Sequence, residues 1–307
     1  MKSAMRTLAF VAAGLLAGCS GSPDAADSAE SLLRFLPEDT SGVAFADVAG
    51  LRENPFAGNL LEERAGAESP ERYREFVEAT GFDLTNDLRQ VMVGSAGEGR
   101  GLIVVGAVYD RDRVSGYLTG EGMAYGDHEG TTLFRVNPDE ERILAFVDDV
   151  ALLGPESEVR NAIDRAGKSL PSALDNGQLL EDIAAIADGY QLWATGRVDS
   201  VLISDAIEAP GPADLLRSIE TGTWQMRVDD MVTARAVAEF TSSDQAMTAA
   251  SLLEGLRGIA MLQGRAGEYG ELLSGIRIAN NESRVEVHLQ VDTAVLERLA
   301  ESGALSP

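Results

Sequence analysis

Two histidines and one cysteine are the residues of this chain best suited to metal binding or nucleophilic catalysis. They are His128, His288 and Cys19, among 307 residues. His128 lies in a turn-like sequence, and His288 lies on the polar side of an alternating strand. Their spacing matches no zinc motif, and no serine has the G-x-S-x-G context. We therefore predict two surface histidines, no resident metal or cofactor, and no enzymatic activity.

Three short segments imitate ligand-binding loops, and each has a simpler interpretation. Residues 97–101 are glycine-rich but precede a strand, whereas a dinucleotide loop follows one, so we predict a hairpin loop. Gly167-Lys168-Ser169 resembles the end of a phosphate loop, but a helix precedes it, which indicates a helix C-cap. Asp110-Arg111-Asp112 begins like a calcium loop, yet the next ligand position is a valine. Asp110 is therefore predicted to be a helix N-cap.

The cysteine has a different context, because it ends a short apolar segment. Lys2 and Arg6 precede an apolar run of 10 residues, Leu8 to Ala17, and Leu16-Ala17-Gly18-Cys19 follows. This layout resembles a bacterial lipobox at the end of a secretory signal peptide. The run is shorter than the roughly 20 residues of a membrane-spanning helix.

The resemblance implies that residues 1–18 are removed and that Cys19 becomes a lipidated first residue. Two or three acyl chains anchor a protein stably, whereas one chain does so only marginally. The alternative is a soluble secreted protein with a chance cysteine, but a lone cysteine forms no internal disulfide. Ser20, rather than an aspartate, follows Cys19, which favours the outer membrane facing the periplasm. The expected localisation is the bacterial cell envelope.

The charge of the chain excludes one class of partner. The signal contains two of the 25 basic residues and none of the 50 acidic ones, so its removal changes the net charge from −25 to −27. Nucleic acid is excluded because phosphate binding needs clustered lysine and arginine. Binding of the folded body to anionic lipid is disfavoured for the same reason. The expected partners are the membrane, through lipidated Cys19, and a basic or apolar envelope partner.

The rest of the chain alternates short strands with helices. Residues 19–27 are predicted to be the lipidated cysteine and a flexible tether, 28–167 a first half and 168–307 a second half. Strands are predicted at 43–48, 90–94, 102–108, 131–136, 143–147, 150–153, 192–198, 224–228, 232–240, 276–279 and 284–291. Helices are predicted from 28 to before Pro37, over 155–166, 201–208, 213–220, about 243–262 and 292–302.

Hairpins outnumber long crossovers in this pattern, which predicts mostly antiparallel pairing. We therefore expect an α+β fold of mostly antiparallel sheets covered by helices. Each half can be written as strand, helices, hairpin, helix, hairpin, helix, with one extra strand in the first half. This order predicts an internal duplication.

A second resemblance concerns the start of the mature chain. Pro37-Glu38-Asp39-Thr40 followed by Val43 to Val48, and later Gly154-Pro155-Glu156, is similar to a group of bacterial envelope proteins of unknown function. The resemblance implies an envelope role and no specific activity.

Three functions remain open at this stage. We expect a membrane-anchored envelope lipoprotein that acts as a non-enzymatic binding or scaffold module. The alternative is a carrier of an apolar ligand such as lipid, and the apolar side chains of the helix near 243–262 could line its cavity. For that helix, however, packing in the protein core is the preferred interpretation. A carboxylate-based hydrolase is the third possibility, since 50 acidic residues form many accidental pairs.

Overall fold

The computed structural model describes residues 25–64, 70–97, 99–136, 142–168, 170–197, 217–262 and 266–301. Several predictions fall outside these residues. They concern the signal peptide, Cys19 and most of the tether, the helix at 201–208 and most of the helix at 213–220.

Twelve strands form the sheet of the described chain. They are β1 Gly42–Asp47, β2 Leu88–Ser95, β3 Gly101–Ala107, β4 Ala124–His128, β5 Thr131–Arg135, β6 Arg142–Val147, β7 Val150–Pro155, β8 Leu192–Arg197, β9 Ile219–Val228, β10 Met231–Phe240, β11 Ile276–Asn281 and β12 Arg284–Asp292. Their order is β11-β12-β10-β9-β8-β1-β2-β3-β7-β6-β5-β4. Every neighbouring pair is antiparallel.

Eleven α-helices are present in the same residues. They are α1 Ala25–Leu33, α2 Val48–Glu53, α3 Pro55–Arg64, α4 Pro70–Thr80, α5 Leu84–Asp87, α6 Arg111–Gly120, α7 Glu156–Lys168, α8 Gly177–Ala184, α9 Ser243–Leu262, α10 Ala266–Ser274 and α11 Thr293–Glu301. None of these helices has the length and apolar character needed to cross a membrane.

The expected fold class is wrong. We expected sheets covered by helices, with one strand-helix-hairpin-helix-hairpin-helix unit occurring twice. Instead, one continuous sheet of 12 strands runs through the described chain. Seven strands, β1–β7, form its first half and five strands, β8–β12, form its second half. The halves join because β1 pairs with β8, and this pairing covers two strand edges that separate sheets would leave open.

Two local differences accompany this correction. The hairpin of β4 and β5 contains a strand, Ala124–His128, that the sequence pattern did not predict. The end of the helix predicted at 213–220 is also wrong, because Ile219 and Glu220 begin β9. In the first half, β4 to β7 therefore form a run of consecutive antiparallel strands, each paired with the next.

The sheet has two faces, which alternate residue by residue along each strand. The first face, which includes Val43 and Phe45, packs under helices α1, α7 and α8. The second face includes Ala46, Leu192 and Val291, and it packs under α2 and α11. Helix α6 covers the second face near β5 and β6.

Two stacked aromatic rings lie at the centre of the first face. Phe45 of β1 lies opposite Trp193 of β8. Their ring centroids are 5.2 Å apart, and both side chains are fully buried. Stacked aromatic pairs contribute about 0.5–1.5 kcal/mol beyond the burial of their area. This pair therefore stabilises the junction of the two halves directly.

One hairpin turn lies where the sequence predicts it, and a second lies two residues later. Asp148-Asp149 joins β6 to β7, as the two acidic turn formers indicated, and Asp148 has a positive φ of 54°. The turn between β11 and β12 lies at Glu282-Ser283, two residues later than the Asn280-Asn281 turn that we expected. Glu282 there also has a φ of 54°.

Candidate binding surface

Helix α9 is the longest described helix, and its start is set by a capping serine. The backbone N–H of Gln245 donates to Ser242 Oγ at 3.4 Å, so Ser242 satisfies one free donor of the first turn. Thr248 Oγ1 donates to the carbonyl of Asp244 at 2.8 Å one turn later. The predicted start of this helix is confirmed.

The side of α9 that contacts the sheet consists of small residues. Ala246 and Ala249 are buried beside Phe240 and Val285, and Ala250 packs against the same cluster. Val285 lies on the same side of β12 as Val291, so α9 covers the second face of the sheet. After Ala249, no described residue of α9 is buried.

Many large apolar side chains of the same helix are exposed to solvent. Those that are exposed are Met247, Leu252, Leu253, Leu256, Ile259, Met261 and Leu262. Their exposed fractions run from 37% for Leu253 to 87% for Leu262. Leu252, Leu256 and Ile259 have i, i+4, i+7 spacing and therefore form one continuous stripe. We call the seven residues the α9 apolar surface.

The prediction that these residues form helix core is therefore wrong. Apolar residues are abundant all round this helix, so the sequence does not reveal which of them face the sheet. Leu253 and Leu256 follow the buried Ala246 and Ala249 by seven residues and so lie on the same side of the helix, but they are exposed because the second half of α9 is not buried. Exposed contiguous apolar patches are uncommon on soluble proteins and mark interaction sites.

The two charged residues in the second half of α9, Glu254 and Arg257, pair with each other beside the apolar side chains. Arg257 is the only basic residue of the helix, and its Nη1 donates to the carbonyl of Ile276 on β11 at 2.7 Å. Its Nε and Nη2 donate to Glu254 Oε2 at 3.1 and 2.8 Å. Arg257 is thereby turned toward the sheet edge, and its charge is neutralised within the helix.

Helix α10 and strand β11 fix the position of α9 from its C-terminal side. Gly275 connects them, and a Cβ at this position would lie 2.2 Å from the carbonyl oxygen of Gln290. Only glycine permits this close approach of the backbone. On the other side of α10, Arg298 Nη2 of α11 is 2.7 Å from Glu271 Oε2.

His128 is half-buried at the edge of the first half, where β4 meets α7. Its Nε2 is 3.0 Å from Asp164 Oδ1, and its Nδ1 is 3.1 Å from Arg160 Nη1. A guanidinium only donates, so Nδ1 faces a donor and Nε2 faces a carboxylate. Both ring nitrogens of His128 are thus engaged by neighbouring side chains.

The same cluster ties β4 to α7 by charge. Lys168 Nζ donates to Asp164 Oδ1 at 2.9 Å and to Glu129 Oε1 at 3.0 Å. The Lys168 ammonium, followed by the His128 ring, holds the pKa of Asp164 below its ordinary value. These ion pairs tie the hairpin of β4 and β5 to α7.

His288 is exposed on the polar side of β12, as the alternation indicated. Its Nε2 is 3.2 Å from Glu286 Oε2, which also accepts from Arg235 Nη2 at 3.0 Å. The hydrogen bond from Arg235 lowers the pKa of Glu286. In the described part of the chain, no group of three or more histidine, cysteine and acidic side chains could hold a metal ion.

The three segments that imitate ligand-binding loops have the ordinary loop and cap structures that we predicted, with one difference. Gly97 and Gly99 have positive φ values in the hairpin between β2 and β3. Asp110 caps α6 by accepting from the N–H groups of Asp112 and Arg113, both at 3.1 Å. Gly167 is not the C-cap, because α7 continues to Lys168. Ser169 lies outside the described residues.

No family model and no curated protein sequence matches the chain. The structure is similar to crystal form I of TP0453, with a TM-score of 0.51 and a sequence identity of 10%. The match covers 88% of this chain and 96% of that chain. At this identity the likeness concerns the fold alone, and it agrees with a sheet-rich architecture rather than with the fold class that we expected.

Proposed function

We propose that this chain is a lipid-anchored protein of the bacterial envelope whose folded body is a binding module without catalytic activity. The observation that carries the proposal is the α9 apolar surface. It consists of seven large apolar side chains that are exposed along one helix, and a hydrogen bond from Arg257 to β11 holds that helix at the sheet edge. Surfaces with these properties stabilise a protein only when something covers them.

The anchor is supported by the lipobox resemblance at Leu16 to Cys19. An anchored protein stays close to one membrane, and a binding surface on its body then meets membrane-bound partners at high effective concentration. A carrier of an apolar ligand is the second candidate, because such a ligand would contact the same α9 residues.

Metabolic labelling with a palmitate analogue tests the anchor. In a bacterium that matures lipoproteins, wild-type protein should incorporate the label, and Cys19→Ser should not. Ser20→Ala is the matched control and should be labelled like wild type. Equal labelling of wild type and Cys19→Ser would contradict lipidation at this residue.

Membrane fractionation of the same strains tests the localisation. Wild type and Ser20→Ala should sediment with envelope membranes and float with the outer-membrane fraction. Recovery of the label-bearing protein in the inner-membrane fraction would contradict the outer-membrane part of the proposal and leave the anchor intact.

A further inference from the structure

We propose that internal water is bound at the junction of β1 and β8, hydrogen-bonded to the side-chain amide of Gln191 and to Trp193 Nε1. The proposal is independent of the anchor and of α9. It assigns a ligand to three buried polar atoms that have no partner among the described residues.

The burial of these three polar atoms is the first argument. Gln191 and Trp193 are both 0% exposed. Within the described chain, Gln191 Oε1, Gln191 Nε2 and Trp193 Nε1 have no hydrogen-bond partner. Exchanging the two amide atoms of Gln191 leaves the same atoms unpaired, so the observation does not depend on the orientation of the amide. Buried polar atoms are almost always hydrogen-bonded, either to protein or to ordered water.

The sheet places the two side chains next to each other on one face. Gln191 comes directly before β8, and its carbonyl accepts from the backbone N–H of Asp47 at 2.8 Å, so it continues the pairing of β8 with β1. Side chains two residues apart along a strand point to the same face, and Trp193 belongs to the first face. The amide of Gln191 and the indole of Trp193 are therefore neighbours on that face.

The chemistry of the three atoms favours water over an ion. Trp193 Nε1 and Gln191 Nε2 donate hydrogen bonds, whereas Gln191 Oε1 accepts them. An anion would pair with the two donors and leave Oε1 unpaired, and a cation would do the reverse. Buried waters both donate and accept, and they typically make about three hydrogen bonds to groups that lack other partners. Water therefore satisfies both kinds of atom.

The surroundings of the two side chains separate this water from bulk solvent. Phe45 stacks on the Trp193 ring, with centroids 5.2 Å apart. Ile186 and Ala187, which follow α8, are buried in the same apolar cluster. Because Gln191 and Trp193 are fully buried, exchange of the water requires local opening of the sheet or of the segment after α8. The residence time of the water thus measures how often the junction opens.

Nuclear magnetic resonance of the indole N–H groups gives the first test. Residues 20–307 include every described helix and strand and contain two tryptophans, Trp193 and Trp224. The N–H of Trp193 is assigned by its loss in Trp193→Phe or its retention in Trp224→Phe. It should show a water cross-peak of opposite sign in NOE and ROE spectra, as a long-lived bound water does. Trp224, half-buried on the second face, is the internal control and should show only fast surface water.

Oxygen-17 relaxation dispersion, which counts long-lived waters, gives the second test. Gln191→Met keeps the length of the side chain but removes both polar atoms, and it should lower the dispersion amplitude by about one water per molecule. Gln178→Met is the matched control, because Gln178 is exposed on α8, and it should leave the amplitude unchanged. Gln191→Met should also raise the equilibrium constant for unfolding about fivefold, because hydrogen bonds to the water are lost. Thermal melting confirms that each variant is folded.

Three results would overturn the proposal. One is the absence of a long-lived water cross-peak at the Trp193 indole. Another is an unchanged dispersion amplitude, or a greater stability, in folded Gln191→Met, since either would mean that the amide is buried without water. The third is a small molecule that stays with the wild-type protein in native mass spectrometry and is lost in Gln191→Met, which would make that molecule the ligand.

Discussion

Helices α7 and α9 both lie against the sheet, yet they bury different kinds of side chain. In α7, Val159 and Ile163 are buried against the first face, and the outward side has charged residues such as Arg160. In α9, only Ala246 and Ala249 are buried, and seven large apolar side chains are exposed. One helix therefore contributes to the core of the first half, and the other adds little core to the second.

The comparison teaches that apolar content does not indicate what a helix does. Helix α7 has few large apolar residues but uses each one for packing. Helix α9 has many and uses few of them in this way. Natural sequences depart from the rule of buried apolar residues mainly at functional sites. The departure in α9 is therefore evidence for binding.

Truncation of a large apolar side chain to alanine should lower the free energy of unfolding much more in α7 than in α9. Ile163→Ala removes a side chain that is 5% exposed and should lower the free energy of unfolding by about 2–5 kcal/mol. Leu256→Ala should change it by no more than about 0.5 kcal/mol, because Leu256 is 54% exposed. Denaturant unfolding of both variants measures the difference. Similar losses would mean that α9 belongs to the core after all.

A larger residue at a buried position of α9 should lower the free energy of unfolding, whereas the same residue at an exposed position should not. Ala249→Leu forces a bulky side chain between helix and sheet and should cost about 1–3 kcal/mol in the free energy of unfolding. Ser251→Leu, on the exposed side two residues later, is the matched control and should be close to neutral. If Ala249→Leu were neutral as well, the close contact of α9 with β10 and β12 would be wrong.

The smallest predicted effect concerns stability at alkaline pH, which should depend on Tyr109 in the first half of the chain. Burial raises the pKa of Tyr109 to about 12, whereas an unfolded tyrosine ionises near 10. Between these values the unfolded state releases the proton more readily, so stability falls as pH rises. Tyr109→Phe should make this decline shallower. The effect is small because water reaches part of the ring.

Denaturant unfolding of wild type and Tyr109→Phe from pH 9 to pH 12 provides the measurement. The difference between the two proteins at pH 9 serves as the baseline, since Tyr109 is neutral in both states there. A constant difference across the range would show that Tyr109 ionises at the same pH in the folded and unfolded chain.

Local features were predictable from the sequence because neighbouring residues determine them. The Asp148-Asp149 turn and the Asp110 N-cap depend on a few adjacent groups, and both are confirmed. The alternation of Trp224, Met226 and Val228 also has the expected core packing. Strand β4 was missed because Ala124 to His128 lacks apolar alternation, and only its hairpin with β5 makes it a strand.

The continuous sheet and the outward side of α9 were not predictable in this way. The pairing of β1 with β8 joins residues far apart in the chain, and many strand pairings satisfy the same alternation. For α9, apolar residues occur on every side, so the period that identifies an inward face is weak.

The β1–β8 junction has a kinetic consequence. Its paired residues, such as Ala44 and Ala194, are 150 positions apart. Contacts between residues far apart in the chain form slowly, because a long loop must close first. Until that loop closes, β1 exposes the backbone edge that β8 covers in the folded protein, and Phe45 has no stacking partner. A chaperone that holds β1 until β8 pairs with it would protect the fold from aggregation.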